Sequence, residues 1–425
     1  MSLRVSRLCV QRLGRMVFLL LALALPMVHA AGWKLPVWSG ELHGKLLPLG
    51  EEGPQLAWTF TPATPSAGVR TLAFSVEDPA THLRATATLD AATGDGSWRI
   101  EEGRIDVGPW LAALAPVLGK DMAGLSGEGT VVITGEGLIR QGRPSGLVKI
   151  SWNDGVVKHA GQGWTLEGVA VSAEIDVAAL PDGTIPVTLA VRTISTARFG
   201  ARNLSVGAVL NGTREVSVTA VRVEIAGGTV ETDPFTMPLS PPSLKVQIHM
   251  KRVGLQDVVA LVPTMLSDAR GRISGELGLS WSEAAGLQAG KGTLDLDEIE
   301  FTSLRLAPKP GFLTAKIPAR FVLIPNLPKL FSNWFAPVNP AYATLSDIEL
   351  GKMPLRVDSL KVRLTPDGDE KGRSASVTVI AHPEQAENAK EKSPVKEVVF
   401  IINVSGPLSQ VLKLGMSDRI SFGRH

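Results

Sequence analysis

Residues 107–133 read VGPWLAALAPVLGKDMAGLSGEGTVVI, and residues 253–281 read VGLQDVVALVPTMLSDARGRISGELGLSW. Each stretch opens on Val-Gly, carries an apolar stripe at helical spacing, passes a Pro and an Asp, and reaches Ser-Gly-Glu. In the first, Trp110, Leu111, Leu114, Val117 and Leu118 share a helical face behind Gly108-Pro109. In the second, Leu255, Val258, Val259, Val262, Met265 and Leu266 do so, with Asp257 in the first turn, where the helix dipole favours an acid. Matching these features aligns Gly124-Leu125-Ser126-Gly127-Glu128 with Gly271 to Glu276. Val131 and Ile133 then fall in phase with Leu279 and Trp281, and Val148 and Ile150 with Leu294 and Leu296. A helix followed by Gly-rich strands thus occurs twice, and such a unit buries its apolar face only by stacking on a neighbour.

Outward from the repeat, apolar and polar residues alternate over short stretches from Gly40 onward, the period-two mark of strands with one buried face. Leu147–Trp152, Leu244–Met250, Arg272–Trp281 and Leu355–Leu364 are clear cases. The polar tract Thr365–Ser374 joins Leu355–Leu364 to Ala375–Ala381 and predicts a hairpin. Leu327, Leu330, Phe331, Trp334 and Phe335 form a third helical stripe, and a brief one follows Gly406-Pro407. With 43 Gly, 29 Pro and 44% apolar residues, the chain reads as mainly β. The expected fold is an elongated, curled antiparallel β-sheet, groove-like and repeat-built, with a few short amphipathic helices.

Four arginines, Arg4, Arg7, Arg12 and Arg15, precede the apolar run Met16–Val28, and Val28-His29-Ala30 supplies a small-x-small cleavage pattern. This reads as a Sec-type signal peptide over 1–30, or an uncleaved anchor if the apolar run extends to Trp33. The chain's net charge of +2 conceals this segment: the remainder carries 39 basic and 41 acidic residues, a net charge of −2. A slightly acidic chain has no global field to attract nucleic acid. The one cysteine, Cys9, precedes the apolar run, so the exported part has no disulfide and the expected compartment is the periplasm. The expected organisation is an N-terminal β segment (31–106), a first repeat unit (107–252) and a second (253–425) carrying a charged loop at 383–397.

No catalytic signature emerges. His29, His43, His82, His159, His249, His382 and His425 are scattered, without metal-pair spacing, and HExxH, GxSxG and a P-loop are absent. Gly127-Glu128-Gly129 and Gly161-Gln162-Gly163 lack the third Gly of a dinucleotide fingerprint. Asp295, Asp297, Glu298 and Glu300 are the densest acidic cluster, and alternation puts Asp295 and Asp297 on the solvent side, opposite Leu294 and Leu296. The sequence predicts neither enzyme activity nor a cofactor or metal.

The order of elements resembles the YdbH-like branch of the AsmA/TamB-type periplasmic proteins, whose C-terminal domain carries a "dicarboxylate transport" label. The residues that carry the resemblance begin with Gly227-Gly228, Asp233-Pro234-Phe235, Val253-Gly254-Leu255 with Leu261, and Gly271 to Leu277. Gly290-Lys291-Gly292, Pro310-Gly311, Tyr342 before Leu345, and Val404 to Leu408 followed by Leu412 continue it, over residues 80 to 415 in all. The resemblance implies a curled sheet whose apolar inner groove carries phospholipid acyl chains between inner and outer membranes, with no catalytic residue. Membrane proteins of the envelope would be further partners.

The apolar face of an extended sheet must be covered by a second sheet, by helices or by a bound hydrophobic molecule. About 20 strands at about 4.8 Å would make a groove on the order of 100 Å long. The candidate groove residues are Val131, Ile133, Val148, Ile150, Trp152, Leu277, Leu279, Trp281, Leu294 and Leu296. Headgroups would stay in water, since burying them unpaired is costly. The alternative is a structural or interaction β-protein, a sandwich or solenoid of the envelope, in which the same residues fill a sealed core.

Overall fold

The alternation seen in the sequence becomes a set of antiparallel strands in the computed structural model, which describes residues 41–46, 55–62, 68–118, 124–180, 182–197, 200–212, 214–239, 241–259, 266–282, 286–297, 299–321, 337–366, 368–370, 372–384 and 394–405. Strands β1 (Leu42–Leu46), β2 (Leu56–Pro62), β3 (Val69–Asp78), β4 (Thr81–Asp90) and β5 (Gly96–Asp106) lead into helix α1 (Val107–Leu118). Strands β6 (Leu125–Glu128), β7 (Thr130–Arg140), β8 (Arg143–His159), β9 (Trp164–Asp176), β10 (Thr184–Ser195) and β11 (Gly200–Asn211) follow. Next come β12 (Glu215–Ile225), β13 (Gly228–Thr232), β14 (Phe235–Pro238), β15 (Ser243–Gly254), helix α2 (Leu255–Val259), β16 (Leu266–Arg270), β17 (Arg272–Ser282), β18 (Gly286–Leu296) and β19 (Ser303–Leu306). Helix α3 (Pro340–Glu349) and β20 (Leu355–Leu364), β21 (Arg373–Pro383) and β22 (Val398–Ser405) complete the described α-helices and strands, and a single 3-10 turn (Val177–Ala179) lies between β9 and β10. The fold is mainly β, an antiparallel sheet of 22 strands not closed into a barrel, with few short helices.

The chain divides into two compact units, one of residues 1–223, 232–246 and 281–286, the other of 224–231, 247–280 and 287–425. In the first, the ladder runs from β1 through β5 in sequence order, then β7, β8, β9, β10 and β11. The 17-residue β8 is long enough to pair with both β7 and β6. Gln141 and Gly142, at φ 48° and 77°, make the two-residue turn that matches the twist of β7 and β8. Helix α1 lowers Trp110 onto Leu56, Phe74, Val76 and Leu83, the main core of this unit.

The repeat is visible as two corners built alike. At the first, the N–H of Asp106 bonds Ala80 O at 2.8 Å and that of Val107 bonds Gly129 O at 3.0 Å, so the end of β5 and the start of α1 are pinned together. At the second, the N–H of Gly254 bonds Ala226 O at 3.1 Å and that of Leu255 bonds Gly271 O at 3.0 Å. Gly129 and Gly271, at φ 119° and 113°, each separate a short strand from a long one, a backbone conformation that side chains rarely adopt. Gly129, not Gly124, is therefore the counterpart of Gly271, so Val131 corresponds to Ile273 and not to Leu279, a slip of six residues along the strand. Six is even, so the apolar phase of β7 and β17 is unaffected.

In the second unit the predicted hairpin is present, with Leu364 opposite Ala375 across β20 and β21. Leu266, the end of the expected stripe, opens β16 instead of closing the helix and pairs with Leu306 of β19. Helix α3, which the sequence reading did not contain, starts at Pro340 behind Asn339, whose side chain accepts from Ala341 N at 3.1 Å. Its Ile348 is fully buried against Leu304, Leu355 and Ala381. The export signal with Cys9, the stripe Leu327–Phe335, most of loop 383–397 and the segment after Pro407 lie outside the described residues.

Glu349, at the end of α3, is 3% exposed and holds the loop before it. Its carboxylate accepts from Gly311 N at 3.1 Å, Leu313 N at 2.7 Å, Thr314 N at 3.0 Å and the Thr314 hydroxyl at 2.7 Å. Burial pushes this carboxyl up, but the Thr314 hydroxyl and the three amides outweigh it and hold the group below its ordinary value of 4.5. Glu349→Ala is expected to cost roughly 2–3 kcal/mol at pH 7, because buried donors lose their acceptor. Since the folded pKa is depressed, this stabilisation is present above pH 4.5 and is lost as pH falls through the folded value. Urea unfolding of wild type and variant at pH 7 and at pH values below 4.5 is expected to show the gap closing on acidification.

Candidate functional site

Antiparallel register lines up the inward positions of successive strands in the first unit. One row runs Leu42, Phe60, Phe74, Ala85, Ile100, Gly135, Val148 and Ile175, from β1 to β9. A second runs Ile105, Val131, Trp152, Val171, Leu189 and Val206, and a third Ile133, Ile150, Ala173, Val187 and Ala208. Each row is apolar because each strand presents every second residue to the same side. The opposite side carries cross-strand ion pairs such as Arg99–Glu136 and Lys149–Glu174, both at 3.0 Å and well exposed, which mark it as the wet face.

Burial along these rows is uneven. Phe74, Val148 and Ile175 are buried, at 8%, 2% and 2% exposure. Phe60, Ile100, Val131, Ile133, Ile150, Trp152, Val171, Val187, Leu189 and Val206 are only half-buried. A sealed core would bury most of its members, whereas this face keeps its apolar atoms within reach of a further apolar body.

Of the five candidate residues of β7 and β8, Val131 faces Trp152 and Ile133 faces Ile150, and Ile133 and Ile150 pack on Val148 with Ile175 and Val177. Leu277, Leu279 and Trp281 are half-buried along β17. Leu277 packs on Ala289 and Ala375, while Leu294 and Leu296 of β18 lie against the core of the second unit. The reading missed Phe60 and Phe74 near the start of the first row, although Leu56–Pro62 (LAWTFTP) alternates as clearly as the strands it used.

The acidic cluster is not a solvent-facing row. Asp295 is exposed as expected, but Asp297 is 10% exposed and pairs with Arg252 Nε at 3.3 Å, because β18 ends at Leu296 and the alternation ends with it. Glu300 pairs with Arg252 and, at 3.0 Å, with Arg272, whose other nitrogen donates to Gly227 O and Arg252 O at 2.7 and 2.9 Å. The cluster thus clamps the second corner. His159 is buried in the β8–β9 turn, where its Nδ1 accepts from Gln162 N at 3.1 Å. A cleft of about 380 Å³ is lined by Ala80, His82, Arg104, Asp106, Thr130 and Val132; its one carboxylate accepts from the Thr130 hydroxyl at 3.0 Å. Among the described residues no group of three or more His, Cys, Asp or Glu could hold a metal ion, and no helix is long and apolar enough to cross a membrane.

A family model described as YdbH-like, intermembrane phospholipid transport protein YdbH, matches residues 20–308. The chain belongs to the YdbH-like family. The matched span takes in the apolar rows of β1 to β11 and both corners of this YdbH-like chain, and ends before α3. No curated protein and no solved structure matches it.

Proposed function

We propose that this YdbH-like chain carries phospholipid between two membranes, with acyl chains lying on the apolar rows and headgroups in water. The carrying observation is the run of half-buried apolar residues continued by register from strand to strand, which gives a hydrocarbon tail unbroken contact. Each methylene moved from water to such a surface is worth about 0.8 kcal/mol, so a tail is held firmly yet slides between equivalent positions without any bond being broken. Family membership supports phospholipid as the cargo, and the signal over residues 1–30 supports a periplasmic location reached by export. No enzyme chemistry, cofactor or nucleic acid enters this reading, and envelope membrane proteins are its further partners. The candidate contacts are Val131, Ile133, Val148, Ile150 and Trp152 in β7 and β8, with Leu277, Leu279, Trp281, Leu294 and Leu296 in β17 and β18.

A photo-cross-linking side chain placed at Ile150 or Leu279 in cells is expected to give a phospholipid adduct, and one at the exposed Thr134 of β7 to give none. Absence of adducts at 150 and 279, or equal labelling at 134, would contradict the reading.

A further inference from the structure

We propose that Trp98, laid flat over two glycines of β7, sets the clearance of the acyl path in the first unit, and that Gly135 is the residue that keeps it low. This rests on the reading of the apolar rows as a lipid path. Trp98 lies opposite Gly137, and Gly137 opposite Gly146, so β7 and β8 form a trough without side chains next to the indole. The ring fills that trough lengthwise. A Cβ on Gly137 would stand 2.6 Å from Nε1 and 2.8 Å from Cε2, and one on Gly135 would stand 3.1 Å from each of Trp98 Cζ3, Val148 Cγ2 and Leu147 O. Two same-face positions of one strand, roughly 6.8 Å apart, therefore touch opposite ends of one indole, which requires the ring to lie along the sheet. Its N–H donates to Ser145 O at 3.0 Å, which ties the far edge to β8.

The consequence for a sliding chain is steric. In this pose the indole continues the register of Leu72 and Ala87 on one side and packs toward Val148 on the other, and a tail on the proposed path passes over its face. A methyl on Gly135 crowds Cζ3, Val148 Cγ2 and Leu147 O alike, and the movable indole answers by lifting its six-membered ring a few tenths of an ångström into the path. Gly137 cannot serve for the test, because a Cβ there would also stand 1.9 Å from Ser145 O and break the strand pairing itself. Gly135 acts through Trp98, so it is a positioning residue.

The test measures transfer of a fluorescent phospholipid from donor to acceptor vesicles of phosphatidylethanolamine and phosphatidylglycerol by the full chain. Gly135→Ala is expected to slow transfer about tenfold. Adding Trp98→Leu to Gly135→Ala is expected to restore the rate to within about twofold, which a general defect of the sheet would not allow. A wild-type rate in Gly135→Ala, or a slowed rate that Trp98→Leu does not rescue, overturns the proposal. Should Gly135→Ala fail to fold, Trp98→Leu alone decides: the transfer rate of pyrene-tailed relative to plain-tailed phospholipid is expected to rise about tenfold, and an unchanged ratio overturns it. A wild-type chain that neither transfers lipid nor cross-links at position 150 overturns instead the lipid path on which this rests.

Discussion

Trp110→Ala is expected to destabilise the first unit by about 3–5 kcal/mol, the range for removing a large buried aromatic side chain. Trp110 is 5% exposed and fills the space between α1 and the core formed by Leu56, Phe74, Val76 and Leu83. Its indole N–H also donates at 2.9 Å to the hydroxyl of Thr81, which is 1% exposed. The loss is therefore twofold, a cavity and a buried hydroxyl without its donor. Trp110→Phe separates the two contributions, since it keeps most of the volume and forfeits only the hydrogen bond, at about 1–3 kcal/mol. Urea unfolding followed by tryptophan fluorescence and circular dichroism measures both. A loss below about 1 kcal/mol for Trp110→Ala would mean that α1 is not part of the core.

Leu279→Asp is expected to lower the phospholipid carried by the purified chain about tenfold or more, while costing the fold only about 1 kcal/mol. Leu279 is half-buried on β17, so water reaches a carboxylate placed there and the folded chain tolerates it. A hydrocarbon tail does not, because lying against that position would strip the charge of its water. In a sealed sandwich or solenoid the same substitution would bury an unpaired charge, and several kilocalories of stability would be lost. The two measurements together, bound lipid and unfolding midpoint, separate an acyl path from a structural core.

Much of this architecture was legible because its signals are local. Alternation depends only on neighbouring residues, and it located the strands around Ile150, Leu279 and Leu360 together with the hairpin of β20 and β21. The stripe behind Gly108-Pro109 likewise gave α1. What escaped depends on contacts distant in sequence. Leu266 continues a helical stripe, yet pairing with Leu306 on β19 makes it a strand residue. Asp297 looks exposed by alternation, yet Arg252 draws it into the second corner. The repeat was found, but its counterpart glycines, Gly129 and Gly271, are defined by the helix N–H each accepts, which no sequence comparison reads. Helix α3 had a legible start in Asn339-Pro340, but its weak apolar stripe hid the role of Ile348 and Glu349. At the site, the individual residues were readable from β7 and β8. Their continuation into rows through Phe60, Phe74 and Leu189 required the register.

Carriage of phospholipid on the apolar rows is read out by mass spectrometry of the full chain purified from cells under mild conditions. The expected result is co-purified phospholipid on wild type, in at least equimolar amount, and its loss from Leu279→Asp with the fold retained. A folded wild-type chain found free of phospholipid in repeated preparations would contradict it.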